Sequence, residues 1–222
     1  MRDIIAPSEV YHVYNRSIEK RTIFLKDRDY VRLLFLMLFL QSPLKFLNTR
    51  REVDYFMSYG TFNIDPLQIE EVLNNRTVEL IAFVLMPNHF HLIVQELEEK
   101  GISEYLRRIQ DGFARYFNIK YERSGYLFQQ SYNAVRLSNN DQMLYCSTYL
   151  HRNPRELSEW KDKEHSYPWS SYPDYISSNR WRGLLKPDIV LGQFESPAEY
   201  KSFTGRSIAK EVKILPEEII NL

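Results

Sequence analysis

The spacing of apolar and polar positions along the chain predicts four strands. Aromatic and β-branched residues at 9–16 indicate a first strand. Two apolar runs at 78–86 and 89–94 are separated by a proline-asparagine pair, which favours a hairpin. Weak alternation over 132–137 indicates a fourth strand.

Apolar residues at helical spacing predict two helices between these strands and one after them. The first covers about 27–41 with Asp27 as its cap, and the second covers about 102–120. The third covers about 138–153 and stops there because Pro154 cannot continue a helix. We therefore predict an α+β fold, with a ferredoxin-like β-α-β-β-α-β antiparallel sheet core and an added C-terminal helix.

The remaining segments look like additions to this core. We predict one domain over 1–222, with the core at about 8–156, an insertion at about 44–76 and an extension at about 157–222. Asp65-Pro66 would begin a short helix within the insertion. In the extension, Ser196 and Glu199 form a capping-box pattern for a helix that ends near Gly205.

Charge and cysteine content narrow the function. The chain has 29 basic and 29 acidic residues, so any nucleic-acid surface must be a local patch. Cys146 is the only cysteine, which excludes an internal disulfide framework and thiolate zinc clusters. A reducing cytoplasm fits this composition.

Targeting and membrane segments are not expected. The most apolar run, 33–40, is too short to cross a bilayer and is predicted to be a buried helix. The N-terminus lacks the apolar stretch and the cleavage site of a signal peptide. We expect a cytoplasmic protein.

A pair of histidines is the first candidate for chemistry. His89 and His91 flank Phe90 within a predicted strand, so both imidazoles emerge on the face opposite to Phe90. That geometry makes a two-nitrogen metal clamp. The pattern also occurs in zinc hydrolases and cupin-type oxygenases, and two histidines satisfied by hydrogen bonds would look the same.

The third helix carries the second candidate pair. Tyr149 and Asn153 lie four residues apart, so they share a helix face and could point at a common centre. Alternatively, Tyr149 is a core aromatic and Asn153 only ends the helix. Tyr145 lies one turn earlier and is treated as a packing residue, although it could be a second catalytic tyrosine. His151 points away from the Tyr149 face, so we expect it at the surface.

Several separated segments together resemble a known family. They are Tyr11-His-Val-Tyr-Asn-Arg16 with Ile23-Phe24, Val84-Leu-Met-Pro-Asn-His-Phe-His-Leu-Ile93, Phe113-Ala-Arg-Tyr-Phe-Asn118, Gly125-Tyr-Leu-Phe-Gln129, Tyr149-Leu-His-Arg-Asn-Pro154 and Pro168-Trp-Ser-Ser-Tyr172. In this order they resemble the insertion-sequence-200-like single-tyrosine transposases, especially the REP-associated tyrosine transposases. The likeness covers about 8–175.

The resemblance implies a DNA transposase with an HUH metal site. It assigns His89, His91 and Asn153 as ligands of a divalent metal, and Tyr149 as the nucleophile that forms a 5′-phosphotyrosine intermediate. An open, oxygen-rich site with few charged ligands favours Mg²⁺ or Mn²⁺. The implied partner is single-stranded DNA that contains a hairpin, and the protein could act as a homodimer.

Basic residues near the long helix could contact that DNA. The candidates are Arg107, Arg108, Arg115, Lys120, Arg123 and Arg136. Arginines opposite an apolar stripe can equally form a solvated helix face. The polar segment that follows Phe128 departs from the basic segment common in the family.

Two other functions compete with the transposase. One is a DNA- or RNA-hairpin-binding protein that keeps the scaffold and does not cut. The other is an unrelated metal hydrolase or oxygenase, which would need more histidine or carboxylate ligands than His12, His151 and His165 offer.

Overall fold

The computed structural model describes residues 5–45, 48–129 and 131–207. Its strands form one antiparallel sheet in the order β2-β3-β1-β4. They are β1 Val10–Arg16, β2 Val78–Met86, β3 His89–Glu96 and β4 Asn133–Arg136. The predicted α+β fold with its ferredoxin-like strand order is confirmed.

Eight α-helices accompany the sheet in the described part of the chain. They are α1 Asp27–Phe39, α2 Thr49–Tyr59, α3 Pro66–Asn74, α4 Gly101–Lys120, α5 Asn140–Arg152, α6 Tyr172–Ile176, α7 Asp188–Leu191 and α8 Pro197–Arg206. Residues 208–222 of the predicted extension lie outside the described residues, and its division from the core stays a prediction. None of the described helices is both long and apolar enough to span a membrane.

The two faces of the sheet bury different helices. Phe83, Phe90 and Leu92 point to the face that packs against α1 and α4. Val84 and Ile93 point to the opposite face, which packs against α5. Because strand residues alternate between faces, the even positions of β2 from Ala82 onwards, after a bulge at Leu80/Ala82, and the odd positions of β3 form the floor beneath α5.

The helix ends follow capping chemistry, with one difference from the prediction. Asn139 accepts the Gln142 amide at 2.9 Å, and Ser196 accepts the Glu199 amide at 3.2 Å. At α1, however, Asp29 is the capping acid, not the predicted Asp27. The side chain of Asp29 reaches back to the amides of residues 25 and 26, each at 3.0 Å.

Helix α2 was missed by the sequence analysis, which left 49–59 as polar insertion. Only Glu52 and Val53 of this helix are buried, so its apolar stripe is too narrow for a clear periodicity. The helix ends at Gly60, whose φ of 72° is the left-handed conformation that glycine adopts readily. In the sequence, Gly60 was therefore a signal that a helix could end at this point.

The surface position predicted for His151 is wrong, because the side chain is fully buried. Its Nδ1 lies 2.6 Å from the Tyr200 hydroxyl, and its Nε2 lies 2.8 Å from Ser171 Oγ. The ring also stacks on Tyr172 at 4.9 Å. Burial lowers the pKa of His151 to about 3, so the ring stays neutral while it joins α5 to α8 and the start of α6.

A buried carboxylate joins α1 to the end of α4. Asp29 is fully buried and accepts hydrogen bonds from Lys120 Nζ at 2.5 Å and from the hydroxyls of Tyr116 and Tyr121, each at 2.7 Å. Burial alone would raise the pKa of Asp29. These donors more than offset that effect, so its pKa lies below the ordinary value.

We expect Asp29→Asn to lower the free energy of unfolding at pH 7 by about 3 kcal/mol, since it leaves the Lys120 ammonium without its counter-charge. A carboxyl with a depressed pKa stabilises the fold above its unfolded pKa, and the effect is lost as the pH falls through the folded pKa. The difference from wild type should therefore shrink below about pH 4 in urea unfolding. Asp27→Asn, on the same helical turn, is the control. An equal loss in both variants would contradict this account.

We expect a second pH dependence from His151. Its folded pKa is depressed, so the stability it contributes is present above its unfolded pKa and falls as the pH drops from about 6.5 towards 3. Between pH 7 and pH 5 this group alone should cost about 2 kcal/mol. Urea unfolding should show a shallower pH slope for His151→Gln and an unchanged slope for the His165→Gln control. Identical slopes in all three proteins would rule the effect out.

Candidate functional site

The histidine pair lies at the start of β3, on the face that packs against α5. His91 is opposite Tyr14 of β1 and Val84 of β2, so it sits within the sheet. His89 directly follows the β2–β3 turn. That turn is fixed because the carbonyls of Pro87 and Asn88 accept the amides of Ile23 and Ser17, both at 2.9 Å.

A neighbouring amide orients the ring of His89. The Nδ2 of Asn88 donates to the carbonyl of Lys20 at 2.8 Å, so Oδ1 of Asn88 is the acceptor that lies 2.6 Å from His89 Nδ1. His89 Nδ1 therefore carries the proton. In this tautomer, Nε2 is the ring nitrogen with a lone pair for a metal ion.

A third histidine, His12, orients His91. Its Nε2 lies 2.9 Å from His91 Nδ1, the two rings stack at 5.1 Å, and His12 is fully buried. When His91 Nδ1–H donates to His12, His91 also presents Nε2 to a metal. Outer-shell partners of this kind fix the tautomer of metal-ligating histidines.

The sequence analysis named His12 only as one of three further histidines and gave it no role in this site. Its position in β1 gives it the same parity as Tyr14, and the pairing of β1 with β3 brings both beside His91. Strand periodicity shows which face a residue occupies. It does not show which strand pairs with which, or in what register.

Helix α5 places Tyr149 over the histidines. The Tyr149 ring lies 5.5 Å from the ring of His91 and 6.0 Å from that of His12, edge-on to both. Tyr149 is only 6% exposed, so its position is set by packing. The structure therefore brings Tyr149, one member of the second candidate pair, to the histidines.

Asn153 lies at the end of α5, one turn after Tyr149. Its Nδ2 donates to the carbonyl of Tyr149 at 2.9 Å, which identifies the other side-chain atom as the oxygen. That Oδ1 is buried and has no hydrogen-bond partner among the described residues. A buried acceptor left unsatisfied costs about 1–3 kcal/mol, so such an atom calls for a ligand.

These donors fit a divalent metal ion. Two imidazole nitrogens and an amide oxygen could hold such an ion and leave positions open for phosphate oxygens. The carboxyl end of α5 adds the negative pole of a helix dipole. Within the described ranges, no group of three or more histidine, cysteine or carboxylate side chains could hold a metal, so a third protein ligand beside the histidine pair would have to be of another type, such as this amide oxygen.

Tyr145, one turn earlier on α5, has a different setting. It packs against the apolar cluster between α5 and the sheet, and burial raises the pKa of its phenol. Its hydroxyl is buried without a hydrogen-bond partner in the described part of the chain. A raised pKa disfavours the phenolate, which suits the packing role expected for Tyr145.

Arg16 is a further residue that sequence reasoning did not single out for chemistry. It pairs with His89 in the register of β1 and β3, so both side chains occupy the same face. Directly opposite residues of antiparallel strands have Cβ atoms about 5 Å apart. Arg16 therefore supplies a half-buried cation at the edge of the histidine cluster.

Comparison with known proteins finds a matching family and a similar fold. Residues 67–153 match the family model described as "Transposase IS200 like". The resemblance to IS200-like transposases is confirmed. The matched segment contains His89, His91, Tyr149 and Asn153, whereas His12 and Arg16 lie before it.

A solved structure has a similar fold. It is that of a REP-associated tyrosine transposase bound to a REP hairpin, with a TM-score of 0.56 and 16% sequence identity, covering 85% of this chain and 88% of that chain. At this identity the likeness shows the shared fold. No curated relative matches the chain.

The six basic residues suggested for DNA contact separate into two groups. Those that line one groove between α1, α2 and α4 are Arg107, Arg108, Arg115 and Lys120. The groove does not include Arg123, which hydrogen-bonds Asn118 at 3.5 Å, or Arg136, which pairs with Glu9 on the sheet edge at 2.5 Å.

Proposed function

We propose that the protein is a metal-dependent DNA transposase that cuts and rejoins single-stranded DNA at hairpin-containing sites through Tyr149. The observation that carries the proposal is the packing of the Tyr149 ring beside the His89–His91 pair, with the unsatisfied Oδ1 of Asn153 one helical turn further along the chain. The match to the IS200-like transposases over the same residues supports it.

The reaction proposed for this site is a transfer of phosphorus between oxygens. The Tyr149 hydroxyl attacks the phosphorus of a phosphodiester, its Oη–P bond forms and the bond from phosphorus to the 3′ oxygen breaks. The phenolic proton leaves to solvent, and the released 3′ oxygen takes one up. The 5′ phosphate stays on Tyr149, and attack by another 3′-hydroxyl reverses the step, so rejoining needs no ATP.

The residues around Tyr149 have separate roles in this proposal. His89, His91 and Asn153 would hold a divalent ion, Mg²⁺ or Mn²⁺, which would offset charge on the phosphate oxygens when bound. His12 holds the ring of His91, and the half-buried guanidinium of Arg16 attracts the DNA phosphate to this edge. The apolar contacts of α5 keep Tyr149 in place for attack.

Hairpin DNA is the proposed substrate. The similar transposase structure is bound to a REP hairpin, and the present chain shares its fold. A single-stranded segment at the foot of such a hairpin is flexible enough to enter a partly buried site. The competing function, a hairpin-binding protein that does not cut, becomes an outcome of the following test.

We expect wild-type protein to form a covalent adduct with a labelled single-stranded oligonucleotide that carries the hairpin found beside its own gene. The band on a denaturing protein gel should need Mn²⁺ or Mg²⁺ and should vanish in Tyr149→Phe. Tyr145→Phe is the matched control, because it removes a hydroxyl from the same helix and should keep the adduct. If the hairpin binds but no adduct forms, the non-cutting function replaces the transposase.

We expect His12→Ala to weaken Mn²⁺ binding by about 10- to 100-fold, since removal of an outer-shell partner typically has this effect. His12→Gln should restore part of the affinity, because its amide oxygen can accept the His91 Nδ1–H. Titration calorimetry with Mn²⁺ alone measures both, with His165→Gln as the control. Unchanged affinity in a folded His12→Ala protein would show that His12 only fills space.

A further inference from the structure

A basic groove lies on the opposite side of the molecule from Tyr149. It runs along the outer surface of α1, α2 and α4, has a volume of about 1050 Å³, and is open to solvent. Among the residues described, eight basic and two acidic side chains line it. Since the whole chain has no net charge, this groove concentrates positive charge that the rest of the surface balances.

Part of this charge is already neutralised within the protein. Arg28 forms an ion pair with Asp54, and Arg107 pairs with Glu104 and Asp111. These pairs hold α1 to α2 and order the surface of α4. They are not the groups that call for an added anion.

Four other cations of the groove have no carboxylate partner in the described part of the chain. They are Arg32, Lys45, Arg108 and Arg115. Arg108 donates only to backbone carbonyls of the segment after α1, including that of Ser42. The guanidinium of Arg32 lies over the Tyr116 ring at 5.3 Å, and its Nε is buried with no hydrogen-bond partner among these residues.

Partial burial of these unpaired cations carries a free-energy cost, because it removes water from the charged groups. Burial lowers the pKa of Arg32 and of Arg108, and the neighbouring Arg28 and Arg107 lower them further, while Glu104 offsets only part of the effect on Arg108. An anion that enters the groove would supply the missing charge. Phosphate suits this role, since arginine binds it with charge-assisted, two-pronged hydrogen bonds.

The dimensions of the groove favour a polymer over a small anion. Residues 107 to 120 of α4 extend for about 20 Å along the helix axis, at 1.5 Å per residue. That length equals about six base pairs of duplex at 3.4 Å each. A single phosphate or nucleotide would reach few of the unpaired cations at once.

The groove lacks the features that hold unpaired bases. Single-strand sites use open aromatic faces on which bases stack. Here the described lining contains Phe35, which is fully buried, and Tyr116, whose ring faces Arg32 and Lys120 and whose hydroxyl is bonded to Asp29. The part of the lining that the structure describes therefore offers contacts to a phosphate backbone and no open aromatic face to bases.

The position of the groove connects it with the catalytic end of the sheet. Its Lys120 end meets the first turn of α1 through Asp29. Just before that turn, the amide of Ile23 is bonded to the carbonyl of Pro87, two residues before His89. A DNA stem in the groove would thus end beside the edge around which a single strand must pass to reach Tyr149.

We propose that this groove binds the phosphate backbone of the base-paired stem of the substrate hairpin, while the opposite face acts on its single-stranded foot. The proposal rests on the proposed function, because it takes the substrate to be a DNA hairpin. It adds a second contact surface, partly built from α2 and Lys45, which precede the segment matched by the transposase family model.

The test removes two unpaired charges that are exposed. The variant Lys45→Gln/Arg115→Gln is compared with the control Lys201→Gln/Arg206→Gln, which removes two exposed charges from α8. The probe is a blunt DNA hairpin of arbitrary sequence with a stem of about 10 base pairs, one helical turn. Binding is measured by fluorescence anisotropy at several salt concentrations, with oligo(dT) as a second probe.

The groove variant should bind the blunt hairpin about 3- to 10-fold more weakly near 0.1 M salt, and its log K against log salt should be shallower by about 1.8, or about 0.9 for each lost phosphate contact. The control variant should match wild type. Equal slopes for wild type and the groove variant would overturn the proposal. An equal loss for oligo(dT) would overturn the choice of a stem.

These outcomes are separate from those of the proposed reaction. Tyr149→Phe should keep wild-type affinity for the blunt hairpin, because the nucleophile lies on the other face. At DNA concentrations that saturate binding, the groove variant should still form the covalent adduct on the hairpin oligonucleotide that the wild-type protein cuts. Loss of that adduct in the groove variant would mean that the groove supports the chemistry itself, and would contradict the assignment.

Discussion

The alternation of side chains along β3 is the constraint on which the candidate site depends. Phe90 and Leu92 must enter the core beneath α1 and α4, so His89 and His91 are forced to the opposite face. A shift of one residue in register would bury the imidazoles among phenylalanines and leucines and expose Phe90 to the space under α5. The large hydrophobic gain of the helical core therefore also fixes the position of two polar rings.

The second half of the site depends on how α5 is held against that face. Met143, Cys146 and Leu150 pack onto the sheet, while neutral His151 binds the elements that follow on the far side. Arg152 adds hydrogen bonds to the carbonyls of Thr204 and Gly205 in α8. The extension after the core thus bears indirectly on the proposed reaction, because it holds in place the helix α5 that carries Tyr149.

Local periodicity in the sequence was sufficient to predict which face of a strand or helix a residue occupies. It could not predict contacts that depend on which strands pair. The parity of His89 and His91 and the four-residue spacing of Tyr149 and Asn153 were sufficient to place each pair on one face. His12 and Arg16 join the site only through the register of β1 against β3, which no local pattern encodes. The surface position predicted for His151 was wrong for a related reason. Its helix face was identified correctly as opposite to Tyr149, but α8 covers that face. Helix α2 was not predicted because its stripe of buried residues is too narrow to give a clear helical periodicity.

A strand-transfer enzyme must keep hold of DNA after it has cut it. The phosphotyrosine bond would retain the 5′ end, but the 3′ end is released as a hydroxyl and only noncovalent contacts can keep it near the site. A buried pocket around Tyr149 offers little surface for such contacts, since the histidines and Asn153 are themselves almost fully buried. Phosphate contacts on a separate face solve this problem, because they persist while bonds at the site are exchanged and do not compete with the metal for the reacting phosphate. The uneven charge of an otherwise neutral protein then has a physical reason: its unpaired cations lie where we propose that DNA is held, and its ordered polar groups lie where we propose that DNA is cut.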